Sequence, residues 1–156
     1  MSMNYTVIKK FNDSGQKKVY LVDCPQFGKC ILKRGICRSE ESLSRIQREI
    51  EILKSLNSPY FPKNYCFEVK SDGSFILFEE YINSSSLREK MGLFSNEIDA
   101  FILILRIVNA MKVVWERKIV HRDLKPENIL IRKDTLEPVI IDFGIARIAE
   151  EVFTLS

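Results

Sequence analysis

His121-Arg122-Asp123-Leu124-Lys125-Pro126-Glu127-Asn128, with Asp142-Phe143-Gly144 further along, is the stretch on which the reading of this 156-residue chain turns. It joins a carboxylate suited to accept a hydroxyl proton, Asp123, to an amide oxygen on Asn128 and a second carboxylate on Asp142. Those two are hard oxygen ligands of the kind Mg²⁺ prefers. Phosphoryl transfer asks a protein for little beyond positioning and charge compensation, and this set offers both. An H-R-D or a D-F-G tripeptide alone is a chance occurrence in many chains. Here they come together, and the chain's only histidine lies among them.

The flanking residues read as strand, loop and strand. Lys118-Ile119-Val120 leads into the loop, and Ile129-Leu130-Ile131 is a short apolar strand. Arg132 to Pro138 is a polar turn, and Val139-Ile140-Ile141 ends at Asp142. Pairing the two strands would hold Asn128 and Asp142 close enough for one metal to bridge them.

These motifs resemble the protein kinase family. Its catalytic-loop pattern H-R-D-L-x-x-x-N and its D-F-G are present letter for letter. The resemblance implies that Asp123 is the catalytic base, that Asn128 and Asp142 hold Mg²⁺, and that Phe143 packs between the lobes. Lys125-Pro126-Glu127 is similar to the serine/threonine-specific form and places Lys125 beside the transferred phosphate.

The family also needs a strand lysine for the nucleotide phosphates and a helix glutamate to pair with it. Cys30-Ile31-Leu32-Lys33 is similar to the family's V-A-I-K strand, which makes Lys33 the candidate lysine. Leu43, Ile46, Ile50, Leu53 and Leu56 recur at helical intervals and predict a helix over residues 39–56. Ser39 is its expected N-cap, Glu40 and Glu41 suit the positive end of its dipole, and Asn57-Ser58-Pro59 stops it. Glu49 lies at the edge of the apolar stripe. From the residues alone it belongs either to a solvated face with Arg45, Arg48 and Glu51 or, buried, beside a cation; the resemblance makes that cation Lys33.

The nucleotide-covering loop departs from the family pattern. Asn12, Ser14 and Lys17 stand where three glycines are usual, with Gly15 nearby, and weakened rather than abolished ATP affinity is expected. A hairpin from Asn4–Phe11 to Lys17–Asp23 remains compatible with these residues. A second hairpin, 65–70 with 74–78, turns at Ser71-Asp72-Gly73. It runs into Glu79-Glu80-Tyr81-Ile82, which looks like the hinge whose backbone at Glu80 and Ile82 meets adenine. Glu79 occupies the gatekeeper position, where a carboxylate needs a partner or water. Asn83-Ser84-Ser85-Ser86 is expected to be a short polar link.

The most apolar segment, 95–115, reads as a helix with apolar residues nearly all round and hence burial on several sides. Arg106, Asn109 and Lys112 interrupt it, which argues against a membrane span. By resemblance it is the long helix of the C-terminal lobe. The resemblance covers this whole chain but only about the first three-fifths of a domain of about 250 residues, without an A-P-E motif. The helix is therefore expected to leave apolar side chains uncovered and to offer residues 95–118 for association.

With 46% hydrophobic and 29% charged residues the chain suits a soluble globular protein, and a net charge of +3 argues for neither nucleic-acid nor membrane binding. Cysteines 24, 30, 37 and 66 have no metal-site spacing, so reduced thiols and a cytoplasmic location are expected. The expected fold class is α+β, a protein kinase-like two-lobe fold with a truncated C-terminal lobe. Residues 1–82 form the N-terminal lobe, five strands and one helix, and 83–156 begin the C-terminal lobe through the D-F-G motif. The expected activity is ATP-dependent phosphorylation of serine or threonine in protein substrates. Catalytic roles fall to Asp123, Lys125, Lys33 and Glu49, nucleotide contacts to Lys33, Ser14, Gly15, Val19, Glu80, Ile82 and Leu130, and Mg²⁺ to Asn128 and Asp142. Thr154 and Ser156 are the nearby hydroxyls for regulatory phosphorylation. The alternatives are a noncatalytic nucleotide-binding or interaction module and a small-molecule kinase.

Overall fold

The computed structural model describes residues 3–11, 17–94, 96–143 and 146–148. The chain is α+β and divides into two compact units, Met1–Gln47 with Lys63–Tyr81 and Arg48–Pro62 with Ile82–Ser156.

The first unit is built on five antiparallel strands, β1 (Thr6–Lys10), β2 (Lys18–Cys24), β3 (Gly28–Ile36), β4 (Asn64–Val69) and β5 (Ser74–Glu80), in the order β1-β2-β3-β5-β4. Alternation along the strands sorts the side chains onto two faces. One face buries Val22, Cys24, Cys30, Leu32 and Phe78, with Tyr5, Tyr20, Phe27 and Ile76 packed on them. The other carries Val19, Lys33 and Leu77, which stand in register across β2, β3 and β5. The β4–β5 turn depends on Gly73 at φ +77°, where a Cβ would lie 2.6 Å from the Cys37 carbonyl oxygen.

Helix α1 (Glu40–Leu56) starts as its sequence suggests: the Ser39 hydroxyl accepts from the Ser42 N–H at 3.2 Å. The division between units falls within it. Its last turns belong to the second unit, where Ile52, Leu53 and Leu56 share a core with Phe61, Ala110, Met111, Val114, Ile119, Ile140 and Phe143.

The second unit contains β6 (Ser84–Ser86), α2 (Leu87–Lys90), α3 (Glu97–Trp115), β7 (Ile119–Val120), β8 (Ile129–Arg132), β9 (Pro138–Ile140) and β10 (Arg147–Ile148). Two of its features correct the sequence reading. The serines expected to form a polar link are strand β6, the edge of a sheet ordered β6-β8-β9. Ladder pairing uses backbone groups, so serines with little strand preference are carried by a paired neighbour. Ser86 then closes a capping box with Glu89 at the start of α2. Nor is α3 buried on several sides. Leu103, Ala110, Met111 and Val114 are buried, while Ile98, Phe101, Ile102, Ile104, Leu105, Val108 and Trp115 are exposed. The uncovered apolar side chains expected of this helix are therefore present. No helix among the described residues is long and apolar enough to cross a membrane.

Candidate active site

The loop after β7 bends through Arg122 at φ +68°, a left-handed conformation uncommon outside glycine. It is fixed by His121, which is buried. The Asp123 N–H can only donate, so His121 Nδ1 accepts it at 3.3 Å. Nε2 then carries the proton and donates to the Ile141 carbonyl at 3.1 Å. Burial lowers the imidazole pKa from its ordinary value, keeping this ring neutral. Its edge contact with Phe143, 4.5 Å between centroids, ties the loop to the residue after Asp142.

Asp123 is half-exposed and well supplied with donors. Its Oδ2 accepts from Lys125 Nζ at 2.7 Å and from Asn128 Nδ2 at 3.0 Å. The hydrogen bond from Lys125 is the largest influence holding its carboxyl below the usual carboxylate range, and the same bond raises Lys125. Asp123 is thus an ionised acceptor, the state a proton-accepting group needs.

Asn128 is buried at the end of a 3-10 turn, Pro126–Asn128. Its Nδ2 also reaches the Asp123 backbone oxygen at 2.9 Å, which fixes the amide with Nδ2 toward Asp123 and leaves Oδ1 as its other end. The Ile141 N–H donates to the Asn128 carbonyl at 2.9 Å, extending the β8–β9 ladder by one bond. Asn128 therefore stands opposite Ile141, next in sequence to Asp142. Asp142 itself is exposed and left-handed at φ +66°. Among the described residues no group of three or more His, Cys, Asp or Glu side chains is placed to hold a metal. Mg²⁺ does not need one, since it is usually held by one or two carboxylates together with substrate phosphates and water.

In the first unit, Lys33 pairs with Glu79: Nζ and Oε2 are 2.6 Å apart. The register explains the contact. Lys33 faces Leu77 across β3 and β5, and Glu79 is two residues further along on the same face, within diagonal reach of a long side chain. Glu79 is buried, and its Oε1 has no partner among the described residues. Glu49, on α1, is 1% exposed, which excludes the solvated reading of that residue while Arg45 and Glu51 remain exposed.

Of the remaining candidates, Val19 is directly across the ladder from Lys33, and Leu130 is half-buried on β8. Glu80 ends β5, where its N–H donates to the Lys63 carbonyl at 2.8 Å, and Ile82 is buried. Ser14, Gly15, Thr154 and Ser156 lie outside the described residues. Sequence reasoning missed several partnerships, among them two that bear on the residues above. One is Lys33–Glu79, recoverable from strand register and the period of two. The other is Arg88 Nε on Glu127 Oε1 at 2.8 Å, which fastens α2 to the 3-10 turn across a separation in sequence that no local pattern reveals.

Comparison with known proteins agrees with this geometry. The family model described as the protein kinase domain matches residues 23–154. Among curated relatives, serine/threonine-protein kinase C of Synechocystis is 28% identical over 94% of this chain and 30% of its own length. Serine/threonine-protein kinase PknA of Nostoc is 31% identical over 92% of this chain and 28% of its own. The carbon catabolite-derepressing protein kinase of Saccharomyces cerevisiae is 33% identical over 93% and 23%. The chain thus spans less than a third of the length of these relatives. With the matched span reaching from the second strand past Phe143, and with the loop that holds Asp123 and Asn128 inside it, the chain belongs to the protein kinase family.

Proposed function

We propose that this chain supplies the nucleotide-binding and phosphoryl-transfer groups of a serine/threonine protein kinase, with residues 1–82 as the N-terminal lobe and 83–156 as the beginning of the C-terminal lobe. The observation that carries the reading is Asp123: its Oδ2 is oriented by Lys125 and Asn128 together. In this role Asp123 accepts the proton of the attacking serine or threonine hydroxyl, and Lys125 compensates charge at the transferred phosphate. Lys33 meets the nucleotide phosphates and Glu49 supports it. Ser14 and Gly15 cover the phosphates, Val19 and Leu130 contact the base, and the backbone at Glu80 and Ile82 meets adenine. Asn128 Oδ1 and the Asp142 carboxylate fit Mg²⁺ by the hardness of their oxygens. The bound ion would neutralise charge developing on the phosphates.

Saturable binding of Mg²⁺-ATP to the purified chain, measured by calorimetry and lost in Asp142→Asn, is the expected result. Asparagine tolerates the left-handed backbone at this position, so the substitution removes charge without disturbing the turn. Binding that survives Asp142→Asn unchanged removes Asp142 from the site. The serine/threonine-kinase relatives favour protein hydroxyls as acceptors, which a phosphorylation assay on a mixed set of substrate proteins tests directly. A second reading, a noncatalytic interaction module, draws on the apolar side chains of α3 left exposed within 95–118. It predicts ATP binding without phosphoryl transfer, together with self-association or capture of an apolar partner.

A further inference from the structure

Glu79 has no neutral reason to be where it is. It is 4% exposed, Lys33 is its hydrogen-bonding partner through Oε2, and Oε1 has none among the described residues. Asn64, its cross-strand partner on β4, does not donate to it: both side-chain polar atoms of Asn64 are likewise buried without a partner. A buried carboxylate with so few donors depends on its cation, and drawing Lys33 away would strand it. An ammonium group has three donors and need not leave, so Lys33 can keep Glu79 while donating elsewhere. A phosphate approaching Lys33 therefore meets the nearby Glu79 charge as well.

We propose that Glu79 is a resident counter-ion that attenuates the attraction of Lys33 for nucleotide phosphates, so that residue 79 sets the affinity of this chain for ATP. The inference rests on the reading of Lys33 as the phosphate-binding lysine. It concerns a different link from that reading, the charge left on Lys33 rather than its presence. The consequence is selective: neutralising residue 79 strengthens binding of ligands that carry phosphates and leaves binding of the base unaffected.

The test is Glu79→Gln in the full chain. It preserves shape, and its amide oxygen still accepts from Lys33. Dissociation constants for Mg²⁺-ATP and for adenosine are measured by calorimetry on both proteins. The expected result is roughly tenfold tighter ATP binding, about 1.4 kcal/mol, with adenosine unchanged. ATP affinity that is unchanged or weaker, or adenosine binding that tightens equally, overturns the proposal. A second experiment needs no nucleotide. Lys33→Met is compared by denaturant unfolding in the wild-type and Glu79→Leu backgrounds, with a larger midpoint loss expected in the first than in the second. Equal losses overturn the pairing. If the wild type and Glu79→Gln bind neither ATP nor adenosine while the unfolding cycle shows coupling, the nucleotide reading fails and attenuation fails with it, whereas the ion pair stands.

Discussion

Lys33–Glu79 and Lys125–Asp123 are lysine–carboxylate pairs of nearly equal length, 2.6 and 2.7 Å, set in different surroundings. The side chains of the first are 22% and 6% exposed, those of the second 48% and 33%. Distance alone therefore says little about what a pair does. In the first pair Lys33 compensates a buried carboxylate, and losing it leaves a Glu79 charge that water barely reaches. In the open pair water replaces a lost partner at small cost, so the contact adjusts orientation and proton affinity rather than holding the fold. One arrangement ties a buried carboxylate to its cation, and the other leaves a carboxylate open to water.

Three substitutions can break or sharpen that contrast, and a fourth tests the loop beside the open pair. The largest effect is expected at Asp123, where Asp123→Asn should lower phosphoryl transfer by about 10²–10⁴-fold while Mg²⁺-ATP affinity and the unfolding midpoint stay put; radiolabel transfer to a substrate protein measures it. Next comes Lys33→Met, expected to cost about 3–5 kcal/mol of stability by leaving Glu79 uncompensated, read from urea unfolding. A loss no larger than that of an ordinary surface substitution would make the two pairs alike and sink the distinction. Lys125→Met should leave the unfolding midpoint where it is. Because Lys125 is the main cause of the lowered Asp123 pKa, the acid limb of the pH–activity profile should move to higher pH; an unmoved limb would contradict that cause.

The smallest effect concerns His121. Its folded pKa lies below the ordinary 6.5, so below that pH the unfolded chain takes up the proton more readily than the folded one. The stability it contributes is complete above about 6.5 and is lost as pH falls from there toward the folded value. Unfolding midpoints followed from pH 7.5 to 5 should decline, and His121→Asn should flatten the part of that decline due to the imidazole.

Much of this was legible in the sequence because the relevant signals are local. The Ser39 cap, the turn at Asp72-Gly73 and the loop from His121 to Asn128 are each set by residues within a few positions of one another. Strand order and register were needed for the rest. Glu79 reads as an unexplained carboxylate until β3 and β5 are paired, after which the two-residue alternation brings it to Lys33. The serines of β6 were read as a link because their side chains carry no strand preference; their pairing comes from β8, more than forty residues away. Uncovered side chains on α3 were expected, but its burial on several sides was misjudged from the other direction. Apolar composition records what a helix is able to bury, while the packing around Leu103 and Met111 decides how much of it is buried.

That exposed face includes the chain's only tryptophan, Trp115, 55% open to solvent at the end of α3. All indole emission from the protein therefore comes from one place, on the surface where association is expected. A wet indole emits toward the red and a covered one toward the blue. Without any label, the colour of its fluorescence reports whether that helix has found company, in dilute solution or with an added partner that carries no tryptophan.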